Sequence, residues 1–244
     1  MIVFRSLVFN AVFYLNLVVF LGLGVIFFIT PRAWSVAALK VWSRVSQWWL
    51  EAVAGTRVEV RGRQHLPAGA ALVAGKHQSM WETFALFPLF DDPTMVLKRE
   101  LMWIPFFGWY AYKFGMIPVD RAARGTALKA LLRRAEAGVR DNRQIIVFPE
   151  GTRRAPDAPP DYKSGATALY LKLGVPCVPF ALNSGVFWPR RKLVRRPGTI
   201  VVEFLPAIPP GLSRKDFERR LVEAIEPATA RLVAEARGRF DTPR

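Results

Sequence analysis

Residues 6 to 29 carry no charged side chain, and this run constrains the chain more than any other feature. Coiled as a helix it spans roughly 36 Å at about 1.5 Å per residue, enough to cross a hydrocarbon layer of about 30 Å. Gly22 and Gly24 do not oppose this, since glycine is common in membrane helices. A cleaved signal peptide is the rival reading. The run is too long for one, and no A-x-A-like site precedes the next helical segment, so a retained anchor is expected. After Pro31, the residues Trp34, Ala38, Val41, Trp42, Val45, Trp49 and Ala52 recur at helical spacing, with Lys40, Arg44, Gln47 and Glu51 on the other side. A tryptophan stripe opposite a partly basic face suits a helix lying in the headgroup layer; a core helix has the same period. Residues 1–55 thus read as a membrane anchor with an interfacial helix, and 56–244 as a folded domain.

From Thr56 the pattern changes to short β-rich runs: Val58 to Val60, Ala70 to Ala74, Thr94 to Leu97, Met116 to Val119, Ile145 to Phe148, Cys177 to Phe180 and Thr199 to Phe204. Helical patterns fill 79–90, 122–139 and 164–173, and a helical tail begins near Leu212, with Pro227 expected to restart it. This alternation predicts an α/β sheet with helices packed on it. In such sheets the working residues stand on loops beyond the strand ends.

The loop after the second run, Ala74 to Phe84, holds one of the two histidines of the chain. An imidazole is the side chain best matched to taking a proton from an alcohol near neutral pH. Glu82 follows His77 by five residues, and a carboxylate on the far ring nitrogen would fix the tautomer and stabilise the imidazolium. Ser79 and Glu82 also have capping-box spacing, which alone would explain the glutamate. The two roles are compatible. His65 stands in a turn with no acid at useful spacing and reads as a surface residue.

Three basic motifs also follow strands: Lys98-Arg99, Asp120-Arg121 and the run Phe148-Pro149-Glu150-Gly151-Thr152-Arg153. If their strands are neighbours, Lys98, Arg121 and Arg153 converge with His77 on one mouth. Converging cations bind a phosphate, arginine as a fork and lysine as a point charge. The chain is 52% hydrophobic and yet carries a formal charge of +16, a pairing that suits an anionic membrane surface better than nucleic acid. The single Cys177 excludes an internal disulfide and reads as a buried thiol, and the sparse histidines and cysteine form no metal-ligand cluster.

Taken in order, His77 to Glu82, Lys98-Arg-Glu-Leu with Pro105, Gly108, Gly115 and Pro118-Val-Asp-Arg121, Phe148 to Arg153, and Val175-Pro176-Cys-Val-Pro179 resemble the four motifs of the glycerolipid acyltransferases. The closest resemblance is to the bacterial 1-acyl-sn-glycerol-3-phosphate acyltransferases, over about residues 56 to 210. The resemblance implies a mixed, mostly parallel sheet flanked by helices, with N-terminal hydrophobic anchor helices. It implies His77 as general base, oriented by Glu82, and Lys98 and Arg153 on the acceptor phosphate, with Arg121 as a third cation. Glu150, Gly151 and Thr152 would shape the acceptor pocket, and the fourth motif, including Pro179, would line it. Two positions depart from the family pattern. Its acid is usually aspartate and its residue before the histidine usually asparagine, where this chain has Glu82 and Lys76. The longer glutamate must fold back to reach the ring, and Lys76 is expected to press on His77 by like-charge repulsion.

The expected reaction moves a fatty acyl group from acyl-CoA or acyl-carrier protein to the sn-2 hydroxyl of lysophosphatidic acid, with no cofactor or metal beyond the thioester co-substrate. Backbone donors near the start of the Ser79 helix are expected to hold the oxyanion. The expected partners are a membrane with anionic lipids and a lysophospholipid, without nucleic acid, at the cytoplasmic face of the bacterial inner membrane. Two alternatives stay open. The acceptor could be another lysolipid or a lyso-amino-acid lipid. The chain could instead be a non-catalytic basic membrane-surface or nucleic-acid-binding protein, for which the stretch Trp188 to Arg196 is the best support.

Overall fold

Each of the seven apolar runs forms a strand in the computed structural model, which describes residues 1–120 and 124–241, the side chains of 124 and 239–241 excepted. The strands are β1 (Thr56–Arg61), β2 (Ala71–Gly75), β3 (Pro93–Lys98), β4 (Ile117–Val119), β5 (Gln144–Val147), β6 (Cys177–Leu182) and β7 (Gly198–Phe204). They form one sheet in the order β1-β7-β6-β2-β5-β3-β4. All neighbours run parallel except β6 and β7. Strands β2, β5 and β6 are buried at every position, which is why their sequences are continuous apolar runs without alternation.

Successive side chains of these strands feed two layers. Leu72, Ala74, Ile145, Val147 and Cys177 pack against α5 (Arg124–Arg140), α6 (Ser164–Leu173) and α8 (Arg214–Asp241), where Tyr170 stacks on Phe217 at 3.8 Å. Val73, Ile146, Val178 and Phe180 face the other layer. That layer contains α1 (Ile2–Leu23), prolonged by a 3-10 segment to Phe28, and α2 (Arg32–Trp49). The N-terminal helices therefore share the core of the sheet. Phe13 meets Trp42, Phe84 and Trp188 within one aromatic cluster, and Asn16 Nδ2 donates to Ser46 Oγ at 2.9 Å, pinning α1 to α2.

Several expectations are corrected. The tryptophan stripe of α2 splits: Trp42 is buried in the core and Trp49 half-buried against it, while Trp34, Val41 and Val45 remain exposed. The predicted helix over 79–90 reduces to α3 (Glu82–Ala85) and a 3-10 turn, Phe87–Leu89, because Pro88 lacks the N–H a continuing helix needs. Pro227 does not restart the tail; α8 runs through it. The aromatic helix α4 (Phe107–Lys113) and the short α7 (Ser184–Phe187) have no counterpart in the sequence expectations.

Candidate active site

Strand β2 ends on Gly75, where any Cβ would lie 2.4 Å from the Phe180 carbonyl oxygen, so the strand pair closes tightly just before the histidine. The His77 ring stacks on Phe148 at 4.1 Å between centroids, 14° from parallel. Its Nδ1 lies 2.9 Å from Glu82 Oε1. That oxygen also accepts the backbone N–H of Gln78 at 2.6 Å and of Ser79 at 2.7 Å, and Oε2 accepts the Ser184 hydroxyl at 2.9 Å. Ser79 Oγ in turn accepts Trp81 N–H at 3.0 Å. The glutamate thus folds back over its own helix start, and one oxygen both accepts the Ser79 N–H and meets the imidazole. A carboxylate only accepts, so Nδ1 carries the proton and Nε2, without a partner among the described residues, presents its lone pair. The side chain of Glu82 is fully buried, whereas 13% of the His77 side chain reaches solvent.

Two expectations are sharpened here. The N–H groups of Gln78 and Ser79 are bonded to Glu82 and that of Trp81 to Ser79 Oγ, so these three are not open to an oxyanion. Lys76 does not press on His77 as an uncompensated charge. Its side chain, 1% exposed, places Nζ 3.0 Å from Glu150 Oε1 and 3.1 Å from Glu226 Oε1, and those carboxylates neutralise it.

The third motif follows β5, which lies beside β2. Gly151, at φ +65°, turns the chain, with its N–H on the Phe148 carbonyl at 2.8 Å. Arg154 N–H then donates to the His77 carbonyl at 2.8 Å, so the loop is bonded directly to the candidate base. Glu150 is buried beneath this loop on Lys76, and Pro179 is a buried residue of β6 opposite Ala74, so both support the site from below. Thr152 is exposed and Arg153 half-buried, with the Arg153 carbonyl accepting Arg190 Nη1 at 2.7 Å.

The cations share a sheet edge. Strands β2, β5, β3 and β4 are consecutive neighbours and parallel, so the loops carrying His77, Arg153 and Lys98 leave from one end of the sheet. Lys98 is half exposed and pairs with Glu100 at 2.8 Å, and Arg99 pairs with Asp120 at 2.8 Å. Arg121 lies outside the described residues. No hydrogen bond or ion pair joins Lys98 or Arg153 to His77 or Glu82 among the described residues; they have the common edge alone. Cys177 is fully buried, and burial pushes its thiol up, which removes it as a nucleophile. Ser184 and Glu226 were not anticipated. Ser184 lies just past the fourth motif, where a serine opening a helix is the only signal. Glu226 is 150 residues from Lys76 and carries none.

The acyltransferase family model matches residues 57–183. The chain is 38% identical over 186 residues to the 1-acyl-sn-glycerol-3-phosphate acyltransferase of Pseudomonas aeruginosa, covering 75% of this chain and 72% of that one. It is 29% identical over 204 residues to the human 1-acyl-sn-glycerol-3-phosphate acyltransferase alpha, covering 82% and 72%. The crystal structure of the 1-acyl-sn-glycerophosphate (LPA) acyltransferase PlsC from Thermotoga maritima has the same fold, with a TM-score of 0.79 over 95% of this chain and 98% of that one at 23% identity. With the model spanning the strands that carry His77, Lys98 and Arg153, the chain belongs to the acyltransferase family, beside the 1-acyl-sn-glycerol-3-phosphate acyltransferases.

Proposed function

We propose that this acyltransferase moves a fatty acyl group from acyl-CoA or acyl-carrier protein to the sn-2 hydroxyl of lysophosphatidic acid, giving phosphatidic acid. The observation that carries the reading is the His77–Glu82 pair, bonded through Arg154 N–H to the loop that follows β5. His77 Nε2 takes the hydroxyl proton as the oxygen attacks the thioester carbonyl. The C–S bond then breaks, and the imidazolium returns its proton to the leaving thiolate. Glu82 holds the tautomer and faces the developing positive charge. Lys98 and Arg153, with Arg121, take the acceptor phosphate; Gly151 and Thr152 form the exposed turn beside it. The reaction draws on no metal and no cofactor other than the thioester. The printed names of the relatives favour this acceptor over another lysolipid.

The membrane reading has its own support. Among the described residues, one helix, Ile2–Phe28, is long and apolar enough to cross a membrane. Its buried side is bonded to the domain along its length: Ser6 and Asn10 donate to the carbonyls of Arg195 and Leu193, and Tyr110 OH donates to the Leu21 carbonyl. The opposite side, with Phe4, Leu7, Leu15, Val18 and Val25, is exposed and apolar. A helix fixed to a folded domain on one side and apolar on the other fits one leaflet, lying in the plane of the membrane. The exposed Arg190, Arg191 and Lys192 in the loop bonded to α1 fit anionic headgroups, and a water-soluble thioester donor fits a site at the cytoplasmic face of the inner membrane.

The test is turnover in detergent with lysophosphatidic acid, glycerol 3-phosphate, lysophosphatidylglycerol and a lyso-amino-acid lipid as acceptors. Lysophosphatidic acid should be preferred, and His77→Ala should lose at least about 100-fold in kcat with the fold intact. Arg153→Ala should raise KM for the phosphate-bearing acceptor and leave KM for the donor in place. Unchanged turnover by His77→Ala would remove the mechanism, and equal effects on both KM values would remove the phosphate role.

A further inference from the structure

Lys76 is the residue between strand β2 and the candidate base, and its amine is held by carboxylates from two distant parts of the chain. Glu150 belongs to the loop after β5, while Glu226 stands on α8, beyond the residues the family model matches. Glu226 is fixed in turn, its Oε1 accepting the Tyr162 hydroxyl at 2.8 Å and its Oε2 lying 3.3 Å from the lysine. Burial and the neighbouring carboxylates hold the Tyr162 phenol far above its ordinary range, so it stays a donor. Arg154 competes for the same Glu150 oxygen at 3.6 Å and is drawn away by Asp161 at 3.1 Å. A lysine with 1% exposure needs opposite charge and hydrogen-bond acceptors, because an unpaired buried cation costs several kcal/mol.

From this geometry we infer that Lys76 and Glu226 are positioning residues, and that α8 sets the register between the two loops of the active site through this buried ion pair. The inference rests on the reading of His77 as the base. Lys76 holds the start of the His77 loop and Glu150 holds the loop that carries Arg153. The Arg154 N–H to His77 carbonyl bond closes the circuit. With Glu226 neutral, the amine keeps only Glu150, for which Arg154 also competes, and the loop pair is released from the helix that fixes it. Lys76 is sealed from solvent, and the Glu226 carboxylate is engaged by Lys76 and Tyr162. Their effect reaches the reaction only through His77 and Arg153.

A double-mutant cycle tests it. The wild-type chain, Glu226→Gln, Lys76→Met and the double variant are assayed in detergent with lysophosphatidic acid and an acyl-CoA. Each single substitution should lower kcat about tenfold and raise the acceptor KM, with the acyl-CoA KM unchanged. The double variant should be no worse than Lys76→Met, because Glu226 acts through the lysine. Lys76→Arg, which keeps the charge, should recover most of the loss. Multiplying losses, or a Glu226→Gln chain at wild-type kcat, would overturn the inference. Should Lys76→Met fail to fold, Glu226→Gln decides alone, since that side chain is a quarter exposed and its removal opens no core. Failure of the base reading looks different: His77→Ala would then match the wild-type chain whatever is done at Glu226.

Discussion

A fully buried carboxylate is tolerated only when its lone pairs are filled, and Glu82 has four donors on two oxygens. Its separate contributions can be told apart by two substitutions. In Glu82→Gln the amide oxygen still accepts from Gln78 and Ser79, and the Ser184 hydroxyl can turn to accept from the new NH2, so the loop should keep its shape. What is lost is the negative charge opposite the imidazolium. The expected result is a fall in kcat of about 100-fold or more, with acceptor and donor KM within about twofold, read from steady-state kinetics. Glu82→Asp restores the charge but draws it back by about 1.5 Å, one carbon–carbon bond. An aspartate on this backbone cannot reach Nδ1 while keeping the two N–H groups. About a tenfold loss is expected, and wild-type activity in that variant would show that the fold-back is dispensable. The His77–Glu82 pair was legible because both residues lie in one turn of chain, where spacing determines contact. Ser184 and Glu226 reach the same site from 102 and 150 residues away, and no local pattern reports such a distance.

Among the elements, the strands were the most legible, since runs such as QIIV and ALVAG are buried on both faces and carry no competing helical period. Helix α4 was not, because FGWYAYK mixes a glycine with aromatics that serve strand or helix equally, and Trp109 and Tyr112 are exposed. The fate of the α2 tryptophans depended on a partner. Once α1 lies alongside, Trp42 must turn inward between Phe13 and Phe84, which periodicity alone does not choose. The two N-terminal helices then expose an apolar side that lies outside the core. Leu15→Asp with Val18→Asp removes apolar surface from that side without touching the core, as both residues are more than half exposed. The melting temperature in detergent should move by less than about 3 °C, in line with surface substitutions of roughly ±0.5 kcal/mol. Partition into neutral vesicles should fall at least about 100-fold, since one acidic residue in hydrocarbon costs roughly 3 kcal/mol. Co-sedimentation with vesicles measures it, and undiminished sedimentation would show that α1 does not face lipid.

At the scale of the molecule, charge and apolar surface are held in one rigid arrangement. The loop 189–196 is clamped to α1, with Ser6 and Asn10 holding its carbonyls and Arg195 lying 4.3 Å over the Trp188 ring that packs on Phe9. Burial draws Arg195 down to about 10, which leaves it charged at neutral pH and committed to the fold. Arg191 and Lys192 are exposed on the same loop, and no hydrogen bond or ion pair engages their side chains among the described residues. Membrane binding should therefore have two parts of different origin. The helix term depends on apolar area and changes little with salt. The loop term is screened within a Debye length of about 8 Å at physiological ionic strength. At about 1 kcal/mol per charge near an anionic surface, Arg191→Gln with Lys192→Gln should weaken binding to vesicles containing anionic lipid about 30-fold at low salt. On neutral vesicles the same variant should bind like the parent chain, and at about 0.5 M salt the difference on anionic vesicles should close. Equal weakening on neutral and anionic vesicles would mean that the loop acts by holding α1 in place. No weakening on either would mean that the positive charge of the chain meets the membrane elsewhere.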